Sequence, residues 1–153
     1  TSRLFGFDLK KNFAFPYFSR DIAEFWRRWH ISLSTWFRDY LYIPLGGSRG
    51  DKSKIIRNVF IVFIVSGFWH GANWTFVCWG ALHGTYIIIS HLMRKIKVRL
   101  PQVMSENTDH KMLDLICILL TFHAVLFAWI FFRANTVSDA LIILNQIYLI
   151  LYK

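Results

Sequence analysis

The feature that most constrains the fold is a long stretch, from Asn58 to Met93, that contains no Asp, Glu, Lys or Arg. A membrane-spanning helix needs about 20 mostly apolar residues. The stretch is therefore long enough for two short crossings, or for one crossing and a re-entrant piece. A second uncharged run, from Leu115 to Phe132, is long enough for one crossing. Because backbone groups in lipid must be bonded within their own segment, these runs predict an all-α, polytopic membrane helix bundle without a sheet.

Composition agrees with a membrane environment. Hydrophobic residues make up 55% of the chain and aromatic residues 18%, with a mean hydropathy of +0.37. The first residues, TSRLFGFDLKKN, have no apolar core of the kind found in a signal peptide. Two or three crossings alone would leave many polar groups without partners. We therefore expect this chain to be a fragment of a larger membrane protein, with residues 1–153 forming part of a single membrane domain.

Positive charge is concentrated beside the apolar runs. The net charge is +9, and residues 1–57 hold eleven Lys or Arg against five acidic residues. A second basic cluster, RKIKVR, lies at 94–99. Basic segments next to apolar spans are typical of the cytoplasmic side and of contact with anionic lipid, whereas nucleic-acid binding requires a soluble basic face. We expect membrane lipid and not nucleic acid as a partner, with 44–57 and 94–99 both on the cytoplasmic side.

Periodicity divides the chain into four helical segments. They are an amphipathic helix at 21–43, a membrane hairpin or pair of broken helices at 55–93, a transmembrane helix at 113–132, and the start of a further helix at 136–153. Aromatic residues suited to the membrane interface lie along the first segment, at Trp26, Trp29, Trp36, Tyr40 and Tyr42. This pattern favours an interfacial helix, and a short spanning helix is the alternative. The loop at 44–54 is rich in turn-forming residues, and it either connects two helices or contacts substrate.

Two histidines are placed where a polar ring is costly. At 1.5 Å per residue, His70 lies roughly 22 Å from the start of its helix, past the middle of a ~30 Å hydrocarbon core. Gly67 and Gly71 beside it allow close approach of another backbone or a ligand. Asn73, one turn on, is positioned to hold its imidazole in one tautomer. His30 falls on the apolar side of the amphipathic segment. The sequence predicts that His30 and His70 approach each other.

The other histidines and the cysteines suggest structural roles. His83 and His123 are expected to be satisfied within the membrane by neighbouring carbonyl groups. A haem held between these two is an alternative without sequence-specific support. No spacing typical of a metal site occurs, so we expect no metal, and Cys78 and Cys117 are expected to be small buried thiols.

Three long motifs resemble a known family. They are NFAFPYFSRDIAEFWRRWHISLSTWFRDYLYIPLGGSRG, VSGFWHGANWTFVCWGALHG and AWIFFRA, in that order. Together they resemble the membrane-bound O-acyltransferases, most strongly the branch of alginate O-acetyltransferase and more distantly teichoic-acid D-alanyl transferase. The resemblance extends from about Phe5 to Ala140.

The resemblance implies an enzyme and a site. Members are long polytopic membrane enzymes that move an acyl group to a hydroxyl acceptor. The family's essential histidine matches His70, and its second characteristic polar position matches His30, so both are expected to be catalytic. Substrate binding or support of these histidines is expected from Trp29, Trp36, Arg38, Trp69 and Asn73.

The resemblance also implies partners and a location. We expect no bound cofactor, an acyl donor such as an acetyl thioester, and an exported polysaccharide as acceptor, reached through a periplasmic or extracellular partner acyltransferase. The expected location is the cell (inner) membrane, with several crossings. Teichoic acid, peptidoglycan or another acceptor remains an alternative, as does a non-catalytic membrane protein such as a transport component or haem carrier.

The chemistry of the residues fits this expectation. A neutral histidine can take the proton of a hydroxyl as it attacks an acyl carbon, a contribution of about 10²–10⁴-fold in rate. The negative charge that develops on the acyl oxygen needs hydrogen-bond donors. His30, Asn73 and an indole N–H are all candidates, and the sequence does not choose among them.

Overall fold

The computed structural model describes residues 2–6, 11–99 and 110–152, and within these ranges the protein is all helical, with no strand. This confirms the predicted all-α class. The helices are α1 (Ile22–Arg28), α2 (Ile31–Phe37), α3 (Lys52–His70), α4 (Trp74–Arg99), α5 (His110–Arg133) and α6 (Val137–Leu151). Two short 3₁₀ turns, Ser2–Phe5 and Pro16–Phe18, precede α1, and a π-helical turn, Arg38–Tyr42, continues α2.

Two of the helices are long and apolar enough to cross a membrane. These candidate spans are Trp74–Met93 in α4 and Lys111–Arg133 in α5. Helix α6 is apolar but shorter. Most of its side chains are exposed, whereas Ala140 is fully buried against α5 and α4. The described part of the chain therefore presents much apolar surface, as a membrane fragment would.

Glycines bring α3 and α4 into close contact as a hairpin. A Cβ atom on Gly67 would collide with the carbonyl oxygen of Phe76, and one on Gly80 with that of Phe63. The turn requires Gly71, whose φ of 157° lies in a region that L side chains rarely adopt. Since the two helices run antiparallel, the start of α3 and the end of α4 lie at the same end of the bundle.

The loop before α3 is held by a side chain that the sequence analysis did not single out. Asn58 is fully buried and donates from Nδ2 to the carbonyl oxygens of Leu45, at 3.0 Å, and Gly47, at 3.2 Å. Arg57 donates to its Oδ1. The turn-rich loop is thus anchored to the first turns of α3, and at this end a small groove brings Ser48 close to His91.

The expected single amphipathic helix at 21–43 is wrong. The structure has two short helices, α1 and α2, separated at Trp29 and His30. His30 has φ 43° and ψ 56°, a left-handed conformation that no continuous α-helix can include. Trp29 faces the interior, whereas Trp36 and Tyr40 are 53% and 69% exposed, as expected for residues at an interface.

The interior joins α1 to the hairpin through aromatic side chains. Phe25, in α1, is buried with Ile22 and with Val125 of α5. A second cluster is centred on Trp79 of α4. Trp26 contacts both clusters, so α1 is fixed against α4 and α5 immediately before the chain reaches His30.

Candidate functional site

His70 ends α3 inside a shell of aromatic rings. Its imidazole meets Trp79 at 5.2 Å and Phe132 at 5.0 Å between ring centroids, both nearly perpendicular. Trp69 lies on another side at 4.9 Å. Within the described part of the chain no hydrogen bond to the His70 ring is present, so its nitrogens are available to a substrate.

His30 occupies the break between α1 and α2 in a strained conformation. A residue other than glycine in the left-handed region costs of order 1–3 kcal/mol, and such residues cluster at functional sites. Its Nδ1 is buried and has no hydrogen-bond partner among the residues described. No direct contact between the rings of His30 and His70 is present among the described residues, so their expected approach stays a prediction.

A continuous series of aromatic contacts lies between the two histidines. Trp29, next to His30, meets Trp129 edge-on at 5.2 Å, and Trp129 meets Phe132 at 5.0 Å. Phe132 in turn contacts His70. Periodicity marked Trp129 and Phe132 only as part of an apolar span, and the contact of Phe132 with His70 depends on how α5 packs against α4.

Several polar atoms around this series are buried and unpaired within the ranges that the structure describes. They are the indole Nε1 atoms of Trp79 and Trp129, Oγ1 of Thr75, and Nδ1 of His30. Buried polar groups in proteins are nearly always hydrogen-bonded, and the exceptions call for an explanation such as a catalytic role or a missing water or ligand. Their concentration around the two histidines marks this region as the candidate site.

Asn73 does not hold the imidazole of His70, contrary to expectation. Its Nδ2 donates to the carbonyl oxygen of Asn135 at 2.7 Å, and its Oδ1 accepts from the backbone N–H of Thr75 at 3.1 Å. The side chain caps the start of α4 and ties the α3–α4 turn to the α5–α6 turn. The nitrogen and the oxygen of the Asn73 amide are therefore both used in structural hydrogen bonds.

Trp36 lies in the last turn of α2, and Arg38 begins the π-helical turn that follows it. Arg38 donates to Asp39 at 2.8 Å, and this hydrogen bond, together with the charge of the carboxylate, raises the pKa of Arg38. Trp36 is exposed and packs near Tyr40. Arg38 also borders an apolar cavity of about 200 Å³ between α2 and α3, lined by Leu33, Phe37, Val59, Val62 and Phe63 among others. No contact joins Arg38 or Trp36 to His70 in the described residues.

His83 and His123 have the structural surroundings expected of them, with one difference. His83 is only 1% exposed, and its Nδ1 accepts from the indole N–H of Trp26 at 3.3 Å, where a carbonyl partner was expected. His123 bonds the carbonyl oxygen of Leu119 at 2.7 Å through Nδ1. Because aromatic rings enclose His83, this arrangement gives the haem hypothesis no support.

Metal binding likewise finds no support in the residues described. Among them no group of three or more His, Cys, Asp or Glu side chains is arranged to hold an ion. The thiols of Cys78 and Cys117 are only partly buried, so the expectation of buried thiols holds in part.

Comparison with known proteins gives a consistent result. Residues 2–132 match the family described as MBOAT, membrane-bound O-acyltransferase. The chain is 42% identical over 137 residues to a probable alginate O-acetylase, AlgI, of Pseudomonas aeruginosa, covering 90% of this chain and 24% of that protein. It is 42% identical over 145 residues to the peptidoglycan O-acetyltransferase of Helicobacter pylori, covering 92% of this chain and 25% of that protein.

A more distant relative carries a different activity in its name. The teichoic acid D-alanyltransferase of Streptococcus thermophilus is 33% identical over 144 residues, covering 86% of this chain and 34% of that protein. The chain spans about a quarter of the length of the first two curated relatives and a third of this one.

Proposed function

Since this chain belongs to the membrane-bound O-acyltransferase family, we propose that the full-length protein transfers an acyl group to a hydroxyl acceptor, with His70 as general base. The observation that carries the proposal is the arrangement around His70. A histidine without a hydrogen-bond partner among the described residues ends α3, enclosed by aromatic rings. A structural histidine in such surroundings would be hydrogen-bonded, as His83 is.

In the proposed reaction His70 accepts the proton of the acceptor hydroxyl as its oxygen attacks the acyl carbon. A new C–O bond forms, and the carbonyl oxygen becomes an oxyanion. When the carbonyl reforms, the C–S bond of a thioester donor breaks, and His70 returns the proton to the leaving thiolate. General base catalysis of this kind contributes about 10²–10⁴-fold in rate.

His30 is the proposed donor to the acyl oxygen. Of the three candidates that the sequence left open, Asn73 already uses both ends of its amide. The indole Nε1 of Trp79 is enclosed within the core. His30 has one enclosed ring nitrogen, Nδ1, so Nε2 is the atom available to a substrate. A donor aimed at the developing charge is worth about 10²–10³ in kcat, as measured for an oxyanion-hole side chain in another enzyme.

The aromatic shell has a chemical role in this proposal. Trp69, Trp79 and Phe132 surround the base with apolar surface. Exclusion of water protects an activated acyl donor from hydrolysis and strengthens electrostatic interactions in the site. The same shell keeps the imidazole neutral, because burial disfavours its charged form.

The acyl group is proposed to be acetyl, and the acceptor an exported polysaccharide. Both 42%-identical relatives are named as O-acetyl-transferring proteins, whereas the D-alanyl relative is 33% identical. Alginate and peptidoglycan relatives are equally similar, so identity alone does not select the polymer. The proposed setting is the inner membrane, with several crossings, no bound cofactor, and a periplasmic or extracellular acyltransferase as partner.

An acceptor assay with the full-length protein tests this function. Purified protein is given radiolabelled acetyl thioester and, separately, alginate, peptidoglycan fragments, teichoic acid or no polymer. We expect label to enter one acetylated polysaccharide and to disappear in a His70→Gln variant. Absence of label in every polymer, with a folded protein and an intact partner present, would refute the proposal. A parallel reaction with a radiolabelled D-alanyl thioester tests the acyl group: label that enters a polymer only from that donor would correct acetyl to D-alanyl.

A further inference from the structure

The start of helix α2 is capped by Asn12 and not by the residue that directly precedes the helix. His30 is the residue before the first turn of α2, a position whose side chain usually accepts a hydrogen bond from the helix. The imidazole makes no such bond. Instead, the backbone oxygen of Asn12 accepts from Ile31 N–H at 3.0 Å, and its side-chain Oδ1 accepts from Ser32 N–H, also at 3.0 Å.

The segment that contains Asn12 also bonds to the end of α1, on the other side of the break at His30. The N–H of Ala14 donates to the carbonyl oxygen of Arg28, the last residue of α1, at 3.0 Å. Between these bonds Phe13 lies edge-on to Trp29, at 5.0 Å, and to His30, at 6.0 Å. Residues 12–14 thus bridge the end of α1 and the beginning of α2, with His30 between the two attachment points.

This bridge accounts for the conformation of His30. A left-handed histidine persists only where its surroundings impose that backbone geometry. Free N–H groups at a helix start would otherwise compete for the nearest side-chain acceptor, which is the imidazole itself. Because Asn12 occupies those N–H groups, the ring of His30 is not drawn onto the helix start, and its Nδ1 has no hydrogen-bond partner among the described residues.

We propose that Asn12 is a positioning residue for His30: it caps α2 in that residue's place and so directs the imidazole into the site. The proposal rests on the function proposed above for His30. Asn12 itself need not contact substrate. A small displacement of a reacting group can cost up to about 10²-fold in rate, so the effect of losing the cap should appear in kcat and not in KM.

A double-mutant cycle in the full-length protein tests the proposal. Asn12→Ala should lower kcat about tenfold with little change in KM. Asn12→Asp should retain most activity, because a carboxylate accepts the same bond and suits a helix N-terminus. In a His30→Ala background, Asn12→Ala should cause no further loss, because a residue that acts only through His30 has nothing left to position.

The control is an unrelated helix cap. Thr136 caps α6 by accepting from Asp139 N–H at 3.1 Å, and no contact joins it to His30 among the described residues. Thr136→Ala should lower the melting temperature in detergent about as much as Asn12→Ala while leaving kcat unchanged.

Three outcomes would overturn the inference or its premise. An equal loss of kcat from Asn12→Ala with and without His30 would show a general structural effect and overturn the role of Asn12. Failure of Asn12→Asp to restore activity in a folded protein would do the same. If His30→Ala alone is fully active, the proposed role of His30 fails, and that result is visible in the single variant.

Discussion

The two candidate catalytic histidines reach the site by opposite routes. His70 is the last residue of a regular 19-residue helix, and Gly71, next to it in sequence, begins the turn that follows. His30 sits in a left-handed break that residues 12–14 hold from outside the helix. One position follows from local sequence, whereas the other depends on contacts across nearly twenty residues.

The difference indicates which part of the site is stiff and which part stores strain. The hairpin that carries His70 is fixed by backbone-to-backbone contact at Gly67 and Gly80. The left-handed backbone conformation of His30 costs conformational free energy in the folded state. Substitutions near His70 should therefore lower activity by changing the chemistry, or lower stability through steric clashes in the hairpin. Substitutions at His30 should change stability and activity independently of each other.

The largest effect is expected at His70. His70→Gln should reduce transfer by about 10²–10⁴-fold, because glutamine keeps much of the size and hydrogen bonding but accepts no proton. Melting temperature and membrane level should stay close to those of the wild type. Initial rates of acyl transfer by the full-length protein measure the effect.

His123→Gln is the matched control for that experiment, since His123 is exposed and bonds only the Leu119 carbonyl of its own helix. His83 is unsuitable because it is buried and hydrogen-bonded to Trp26. A His70→Gln protein that still acylates at near-normal rate would remove the catalytic role and leave His70 with a packing role.

The next largest effect is expected in the hairpin. Gly80→Ala adds a methyl group against the Phe63 carbonyl, so the helices must separate, at a cost of about 1–3 kcal/mol for overpacking. Gly84→Ala on the same helix is the control, since its Cβ would meet only side-chain atoms, those of the Phe60 ring at 3.4 Å and of Phe63 at 3.6 Å. Thermal unfolding in detergent compares them. Equal melting temperatures for the two variants would contradict the close approach at Gly80.

The smallest expected effect is a difference in stability between two variants of His30. His30→Gly and His30→Ala both remove the imidazole, but only glycine adopts the left-handed conformation without steric cost. The glycine variant should therefore be more stable than the alanine variant by about 1 kcal/mol, although both lose activity. Melting temperatures of the two proteins test this. A glycine variant that is less stable than the alanine variant would mean that His30 is not strained.

The charge-free runs were enough to predict the all-α class, because backbone groups in lipid must be hydrogen-bonded within their own segment. For 55–93 they left a hairpin and broken helices open. The longer run also drew attention to His70, whereas His30 was marked by its place on the apolar side of the 21–43 segment. The break at His30 could not be predicted, since the apolar spacing of 21–43 reads as one helix, and the cap comes from Asn12, outside that segment. The bond partner of Asn73 was missed for the same reason: Asn135 is distant in sequence.

The hydrogen bond from Asn73 to the carbonyl oxygen of Asn135 has a consequence for biosynthesis. Its two ends are 62 residues apart. A ribosome delivers α3 and α4 to the membrane well before α5 has been translated. Until the end of α5 emerges, the turn after His70 therefore lacks both this hydrogen bond and the contact with Phe132. The surroundings of His70 are therefore completed late in membrane insertion, so a premature stop within α5 would leave a hairpin that carries His70 but lacks the Phe132 ring beside it.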